Sequence, residues 1–292
     1  MKRNRKRLIQ LIFIFLLVTA VILLKNYTDR FLLLKTDQPF STIDKAAIKE
    51  LIVTQDKTTS LYKKNGKWTI KKNGVEYPAD QEKLESLINA FINLEKSEAV
   101  SNNKARHTQL GIGKQKIELK SAGKKYVIFV GDDSGLGNNY VRIDNENEVF
   151  FATGFSDLTT TEDFRDLTVP LVKDEEKVRS IEIGYESISI IINKKGKDWK
   201  IGDKIAKKDR VDFYLNDLKT LKATDILPQD TNFPDIIPTV IKITENDREK
   251  TISFYGQDEN NYLANSSESE FIFQIPAAYI ASLKKEESDF VE

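Results

Sequence analysis

The chain has 292 residues with 45 basic and 45 acidic side chains, 40% hydrophobic content and no Pro or Gly excess, which excludes wholesale disorder and the collagenous and low-complexity classes. It contains no Cys and a single His, His107, so disulfide frameworks, thiolate sites, Cys nucleophiles, a lipidated anchor cysteine and multi-histidine metal sites are excluded as well. The zero charge is only a sum: Lys2, Arg3, Arg5, Lys6, Arg7 and Lys25 come before residue 26 with no acid, leaving 39 basic against 45 acidic groups in the remainder, the wrong sign for a nucleic-acid surface.

Residues 1–7 form a basic segment, and residues 8–24, LIQLIFIFLLVTAVILL, are uncharged with only Gln10 and Thr19 polar. A helix of that length covers about 26 Å, near the lower limit for a bilayer core. The helix can extend into 26–34, where Tyr27 and Phe31 suit the interface and Phe31-Leu-Leu-Leu34 adds apolar surface. No small-residue cleavage site follows at Ile22-Leu-Leu-Lys25-Asn26-Tyr27, so the segment is read as a retained anchor, not a cleaved signal. The positive charges before it keep that end in the cytoplasm and place everything after the juxtamembrane linker, residues 25–39, outside.

The exported part repeats itself. Gly66-Lys-Trp68-Thr-Ile70 recurs as Lys197-Asp-Trp199-Lys-Ile201 at a spacing of 131, and Ile48-Lys-Glu-Leu51 as Val178-Arg-Ser-Ile181 at 130. Asp80, an acidic cap candidate, precedes Leu84, Leu87, Ile88, Phe91 and Ile92, one apolar stripe along a helix; Asp209, the matching cap candidate, precedes Val211, Tyr214, Leu215, Leu218 and Leu221 at spacings near 127. Period-two strands follow. Gly131 matches Gly256 at 125, while Tyr140-Val-Arg142 and Glu148-Val-Phe-Phe151 match Tyr262-Leu-Ala264 and Glu270-Phe-Ile-Phe273 at 122. Leu158 and Ile280 close the two copies. The spacing falls in one direction, as small loop deletions in the second copy would produce.

These patterns predict an α+β chain: an N-terminal transmembrane helix followed by two tandem units, residues 40–165 and 175–285, each a mainly antiparallel sheet with one packing helix, Trp68 and Trp199 serving as core residues on the strand that faces the helix. A short linker spans 166–174, and 286–292 reads as a frayed polar tail.

The order of phrases, a Trp68-x-Ile70 strand, the Pro78-Ala-Asp80 helix entry, the Leu110-Gly-Ile112 turn, a strand ending at Gly131, Tyr140-Val-Arg142 and Phe164-Arg-Asp166, resembles the bacterial domain-of-unknown-function family numbered 4340 across nearly the whole exported part. The family's usual Phe-Gly-Leu turn reads Leu110-Gly111-Ile112 here. The resemblance implies a single-pass envelope protein accompanying an ABC export system related to the gliding-motility type, with no catalytic residues assigned.

Sites for chemistry are sparse. Asp132-Asp-Ser-Gly-Leu-Gly-Asn138-Asn is the most acid- and Gly-rich loop; oxygens of Asp132, Asp133 and Asn138 suit calcium, but EF-hand spacing and its bidentate Glu are missing, and a strand follows where a dinucleotide site needs a helix. A hairpin loop is the simpler account. Asp144-Asn-Glu-Asn-Glu148 reads as turn chemistry, and His107 has no nucleophile motif near it. In Asp230-Thr-Asn-Phe233-Pro-Asp-Ile236-Ile237-Pro238 two prolines hold three apolar residues in a loop, so Phe233, Ile236 and Ile237 are either a partner-binding edge or a packed crossover. The sequence-level expectation is a non-enzymatic binding or scaffolding protein without cofactor, contacting the bilayer through 8–24 and an ABC permease or other envelope protein through its body, with no nucleic-acid partner. The alternatives are a wall-glycan hydrolase with a carboxylate pair, which predicts a deep cleft with two close acids, and a ligand-sensing ectodomain, which predicts an apolar pocket.

Overall fold

The computed structural model describes Thr19 and residues 37–72, 74–135, 137–156 and 163–291. The basic segment, the anchor apart from Thr19, most of the juxtamembrane linker and Leu158 lie outside the described residues. Among the described residues no helix is long and apolar enough to cross a membrane.

The chain divides into two compact units at Asp166/Leu167. The first holds β1 (Ile48–Thr54), β2 (Thr58–Lys64), β3 (Lys67–Lys72), β4 (Val75–Pro78), α1 (Gln81–Ile92), β5 (Ala99–Ser101), β6 (Gln115–Ser121), β7 (Lys124–Asp133), β8 (Asn138–Ile143) and β9 (Val149–Thr153). All pairings are antiparallel, in the order β4-β3-β2-β1-β6-β7-β8-β9-β5. The second unit repeats the plan with β10 (Val178–Tyr185), β11 (Ile188–Lys195), β12 (Asp198–Ile201), β13 (Lys204–Ala206), α2 (Lys208–Lys219), β14 (Asp225–Leu227), β15 (Thr239–Glu245), β16 (Arg248–Gly256), β17 (Asn261–Ser266) and β18 (Ile272–Pro276), in the same order. Two short helices follow, α3 (Ala277–Leu283) and α4 (Ser288–Val291).

Local sequence explains these elements. Strands alternate, so β6 buries Ile117 and Leu119 between half-exposed polar residues. Asn65-Gly66, Ala122-Gly123 and Asn246-Asp247 all take positive φ, the backbone of tight hairpin turns that match strand twist. In α1, Leu84, Leu87, Ile88 and Phe91 are buried on one stripe, and Asp80 caps the start by accepting from Lys83 N at 3.0 Å. The Gln81 side chain bonds both the N–H and the carbonyl of Trp68, at 3.0 and 3.1 Å, so the helix entry is stitched to β3. Trp68 and Trp199 are 4% and 2% exposed, core residues as expected. The opposite face of each sheet is polar: the cross-strand pair Glu50–Lys120 at 2.9 Å is replaced in the second unit by Ser180–Thr244 at 2.8 Å.

Register refines the repeat. Leu51 faces Leu61 and Ile181 faces Ile192, so the spacing steps from 130 to 131 inside the first hairpin turn. Thr69–Pro78 recurs as Lys200–Ile205, so it drops to 127 in the next turn. Ile117–Ile128 recurs as Ile241–Ile252 at 124, and Val141–Phe150 as Ala264–Phe273 at 123. The matches of Gly131 with Gly256 and of Tyr140 with Tyr262 are therefore each one residue off in the paired strands. The register of β7 on β8 shifts between Val130 and Asp133, an irregularity that β16 lacks, and this bulge takes the spacing from 124 to 123.

Three further expectations are corrected. Asp209 does not cap α2; Lys207 stands at the cap without a side-chain bond, and Asp209 lies in the first turn, where its charge meets the helix dipole. The segment 286–291 is not a frayed tail, because Phe290 is 1% exposed, lies edge-on to Tyr214 at 5.6 Å and accepts from Lys207 N at 2.8 Å. Phe164, 1% exposed, does the same in the first unit, accepting from Asp80 N at 2.9 Å, so Asp163-Phe164 and Asp289-Phe290 are a further repeated phrase at 126. Residues 167–173, read as linker, belong to the second unit: Ala223 N bonds Leu167 O at 2.8 Å as Lys96 N bonds Asp37 O at 2.9 Å, and Val169, Leu171 and Val172 are buried. Leu167 thus takes the place of Asp37 in the second copy.

Candidate functional site

The loop between β14 and β15 carries the three apolar residues singled out from sequence, each differently placed. Phe233 is half-buried, its ring 4.6 Å from that of Tyr255 on β16. Ile236 lies over Gly256, its Cδ1 3.6 Å from the point a Cβ would occupy there, and stays 48% exposed. Ile237 is 84% exposed. Thr231 N bonds Pro228 O at 3.1 Å and Ile236 N bonds Pro234 O at 3.0 Å, so two internal turns and the prolines hold the segment. The loop is rooted by Phe233 and Ile236 and presents Ile237 outward.

The matching loop of the first unit is closed. It winds through two 3-10 turns, Lys104–Arg106 and Thr108–Leu110, buries Leu110 and lays the Leu110 carbonyl against Gly131, where an added Cβ would meet it at 2.3 Å. His107 Nε2 donates to Asn147 O at 2.9 Å, since a carbonyl only accepts, and so ties this loop to the β8–β9 turn. Both loops cover a glycine at the same end of their sheets, yet only the second exposes large apolar side chains. Of the large hydrophobic side chains exposed among the described residues, Val75 and Phe151 are in the first unit, and Ile191, Ile205, Phe213, Ile236, Ile237 and Tyr279 in the second.

The acid-rich loop does not gather its three oxygen donors. Asp132 pairs with Lys114 at 2.7 Å, Asp133 Oδ1 accepts from Gly135 N at 2.7 Å, and Asn138 accepts through its backbone from Ser134 N at 2.8 Å. Among the described residues no three His, Asp or Glu side chains converge as metal ligands. A groove of about 350 Å³ in the first unit runs between Asn93–Ser97 and Phe151–Thr153; more of its lining surface is apolar than polar, and its one acid, Glu95, accepts from Gln38 at 2.8 Å. The groove therefore holds no carboxylate pair. Asp217 is a carboxylate held above its ordinary value; burial raises it and Lys285 opposes, with no second acid involved.

Two ionic sites escaped sequence reading. In the second unit Glu245 and Lys250, 3% and 7% exposed, pair directly; Glu245 also accepts from Asp174 N at 2.6 Å and Lys250 donates to Leu171 O at 3.2 Å. Burial pushes the Glu245 carboxyl up, but the bonds from Lys250 and the Asp174 and Lys173 amides prevail and hold it below its ordinary value. By register the same positions in the first unit are Ser121 and Tyr126, where Tyr126 meets Phe40 edge-on at 6.0 Å. In the first unit Arg165, 6% exposed, grips Asp163 through Nε and Nη2 and lies 5.2 Å from the Tyr77 ring centre. Burial raises Asp163 and the Arg165 bonds outweigh it, leaving its pKa lowered. Glu245 and Lys250 are brought together by the register of the β15–β16 hairpin and hold the start of the second unit, whereas Asp163 and Arg165 stand two residues apart near the end of the first.

Compared with known families, the model described as "Domain of unknown function (DUF4340)" matches residues 68–236, which is 169 of the 292 residues and less than the nearly whole exported part expected. The span begins at Trp68, crosses the division between the units and ends at Ile236 in the apolar loop. No curated protein and no solved structure gives a significant match.

Proposed function

The chain belongs to the DUF4340 family, and from that membership we propose that it is a non-enzymatic, membrane-anchored scaffolding protein that docks a component of an ABC-type envelope transport system through the Ile237 loop. Residues 8–24 hold it in the bilayer with the basic segment inside, so the tandem sheets act outside. The observation that carries the docking role is Ile237, 84% exposed at the tip of a loop rooted by Phe233 and Ile236. Covering such a side chain yields about 1.5–3 kcal/mol, and a loop already held in place loses little entropy on binding. The terminal strands β4, β5, β13 and β14 have four, three, three and three residues, which leaves little ladder for a partner strand and favours the loop over the edges.

The test is a photo-crosslinker at Ile237 in the full chain in native membranes. Capture of a transporter permease, lost in Ile237→Asp carrying the crosslinker at Ile236, supports the role; capture of wall glycan alone overturns it in favour of the hydrolase.

A further inference from the structure

We propose that the groove of the first unit binds a neutral sugar ring, laid against Phe151 and held by the side chains of Asn93, Asn138 and Thr153. Its volume of about 350 Å³ falls in the range of small-ligand sites. Phe151 on β9 is 38% exposed, and two contacts fix its placement: the Tyr140 ring on the paired strand lies 5.3 Å away, and the Phe151 backbone N donates to Ser97 Oγ at 3.0 Å. An aromatic side chain held in this way offers a flat apolar surface and loses little freedom on binding.

The polar side chains beside it are unspent. Among the described residues the amides of Asn93 and Asn138 and the hydroxyl of Thr153 have no hydrogen-bond partner. Each of these groups can both donate and accept. The charges of the groove are answered within the protein: Lys96 pairs with Glu146 at 2.7 Å and with Glu148 at 3.3 Å, and Glu95 accepts from Gln38 at 2.8 Å. A charged ligand would meet no free counter-charge, and a wholly apolar one would cover the amides without replacing their water. A pyranose satisfies both halves of the site. Its C–H face matches the aromatic surface, and the hydroxyls around its rim donate and accept.

The second unit holds the same positions without these features. At the helix, where the spacing is 127, Thr220 takes the place of Asn93 and donates to its own helix at Asn216 O, 2.8 Å away. On the last strands, where it is 123, Asn261 takes the place of Asn138 and its amide donates to Asp258 at 3.2 Å. Gln274 stands for Phe151, and Pro276, which has no hydroxyl, for Thr153. The topology therefore closes without an exposed ring or free amides here, so folding does not require the set found in the first unit.

The sugar site goes beyond the docking role and uses no residue of the Ile237 loop. With no carboxylate pair in the groove, the sugar is held and not cleaved.

The test uses the full-length protein in lipid nanodiscs, because sugar-headed detergents would compete. The probes are tri-N-acetylchitotriose and cellotriose, both neutral and differing in the acetamido group, so the tighter of the two defines the ring that fits. At least one should bind with a millimolar or tighter constant by calorimetry, and saturation-transfer NMR should mark the protons of one pyranose face most strongly. Phe151→Ala should weaken binding roughly tenfold, and Phe151→Tyr should keep it. Asn93→Ala removes an exposed amide that the fold does not use, and should weaken binding severalfold without changing the thermal midpoint. Phe213→Ala, which removes an exposed ring from α2 in the second unit, should leave binding unchanged. Absence of binding by both trisaccharides, binding indifferent to Phe151→Ala and Asn93→Ala, or cleavage of the sugar would each overturn the proposal. None of these readouts involves what Ile237 captures, so either idea can fail alone.

Discussion

Single residues carry unequal weight in this fold, and the glycines show it. Gly131 lies under the Leu110 carbonyl with room for no Cβ, whereas Gly66 takes positive φ in open space. Gly131→Ala should therefore cost more than about 2 kcal/mol and Gly66→Ala about 1, compared by urea unfolding of the two variants. The buried Glu245–Lys250 pair gives a second case. Removing one partner strands the other charge, so Lys250→Ala should cost about 3–5 kcal/mol, while replacing both by apolar residues of similar volume should cost far less. The pair also sets a pH dependence. The folded-state pKa of Glu245 lies below its unfolded value, so its contribution is complete above the unfolded value and lost as pH falls through the folded one. Glu245→Gln should flatten that part of the acid limb of a stability-against-pH curve; an unchanged limb would mean other carboxylates govern it.

At the scale of elements the two helices are a controlled comparison. They share length, stripe and neighbour strand, but Asp80 caps α1 and the uncapping Lys207 begins α2. Asp80→Ala should lose about 1 kcal/mol, and Lys207→Asp should gain up to about 1, because a side-chain acceptor and a favourable dipole interaction are added at once. Thermal midpoints moving in opposite directions would show it. The apolar stripes were legible because 3.6-residue periodicity is a local signal, as were the alternating strands. The cap of α2 was misassigned because an acid one turn position away looks the same in a linear sequence. The step from 124 to 123 at β7–β8 is hidden in the sequence for a related reason: a bulge leaves no letter of its own, and only the strand pairing reveals it.

At the scale of the molecule the two copies are the same topology used twice, and each is closed by its last aromatic residue, Phe164 or Phe290. Deleting residues 286–292 should therefore destabilise the second unit by about 3–5 kcal/mol, the range for removing a buried Phe, where a frayed tail would cost nothing. The candidate loop was legible in outline, since prolines beside Phe233, Ile236 and Ile237 mark an apolar loop, but not in its division of labour. Phe233 finds Tyr255 and Ile236 finds Gly256 across a long sequence separation, and only that contact decides that Ile237 is the one left outside.

What the sequence determined by itself was local and periodic: an apolar N-terminal segment beside a basic cluster, two copies of one strand and helix pattern, and the absence of thiol or multi-histidine chemistry. Tertiary structure alone decided the nine-strand order and the docked C-terminal segment. Each of those depends on residues distant in the chain being brought opposite one another, and register between strands follows from which faces are buried, a property no short window of sequence contains.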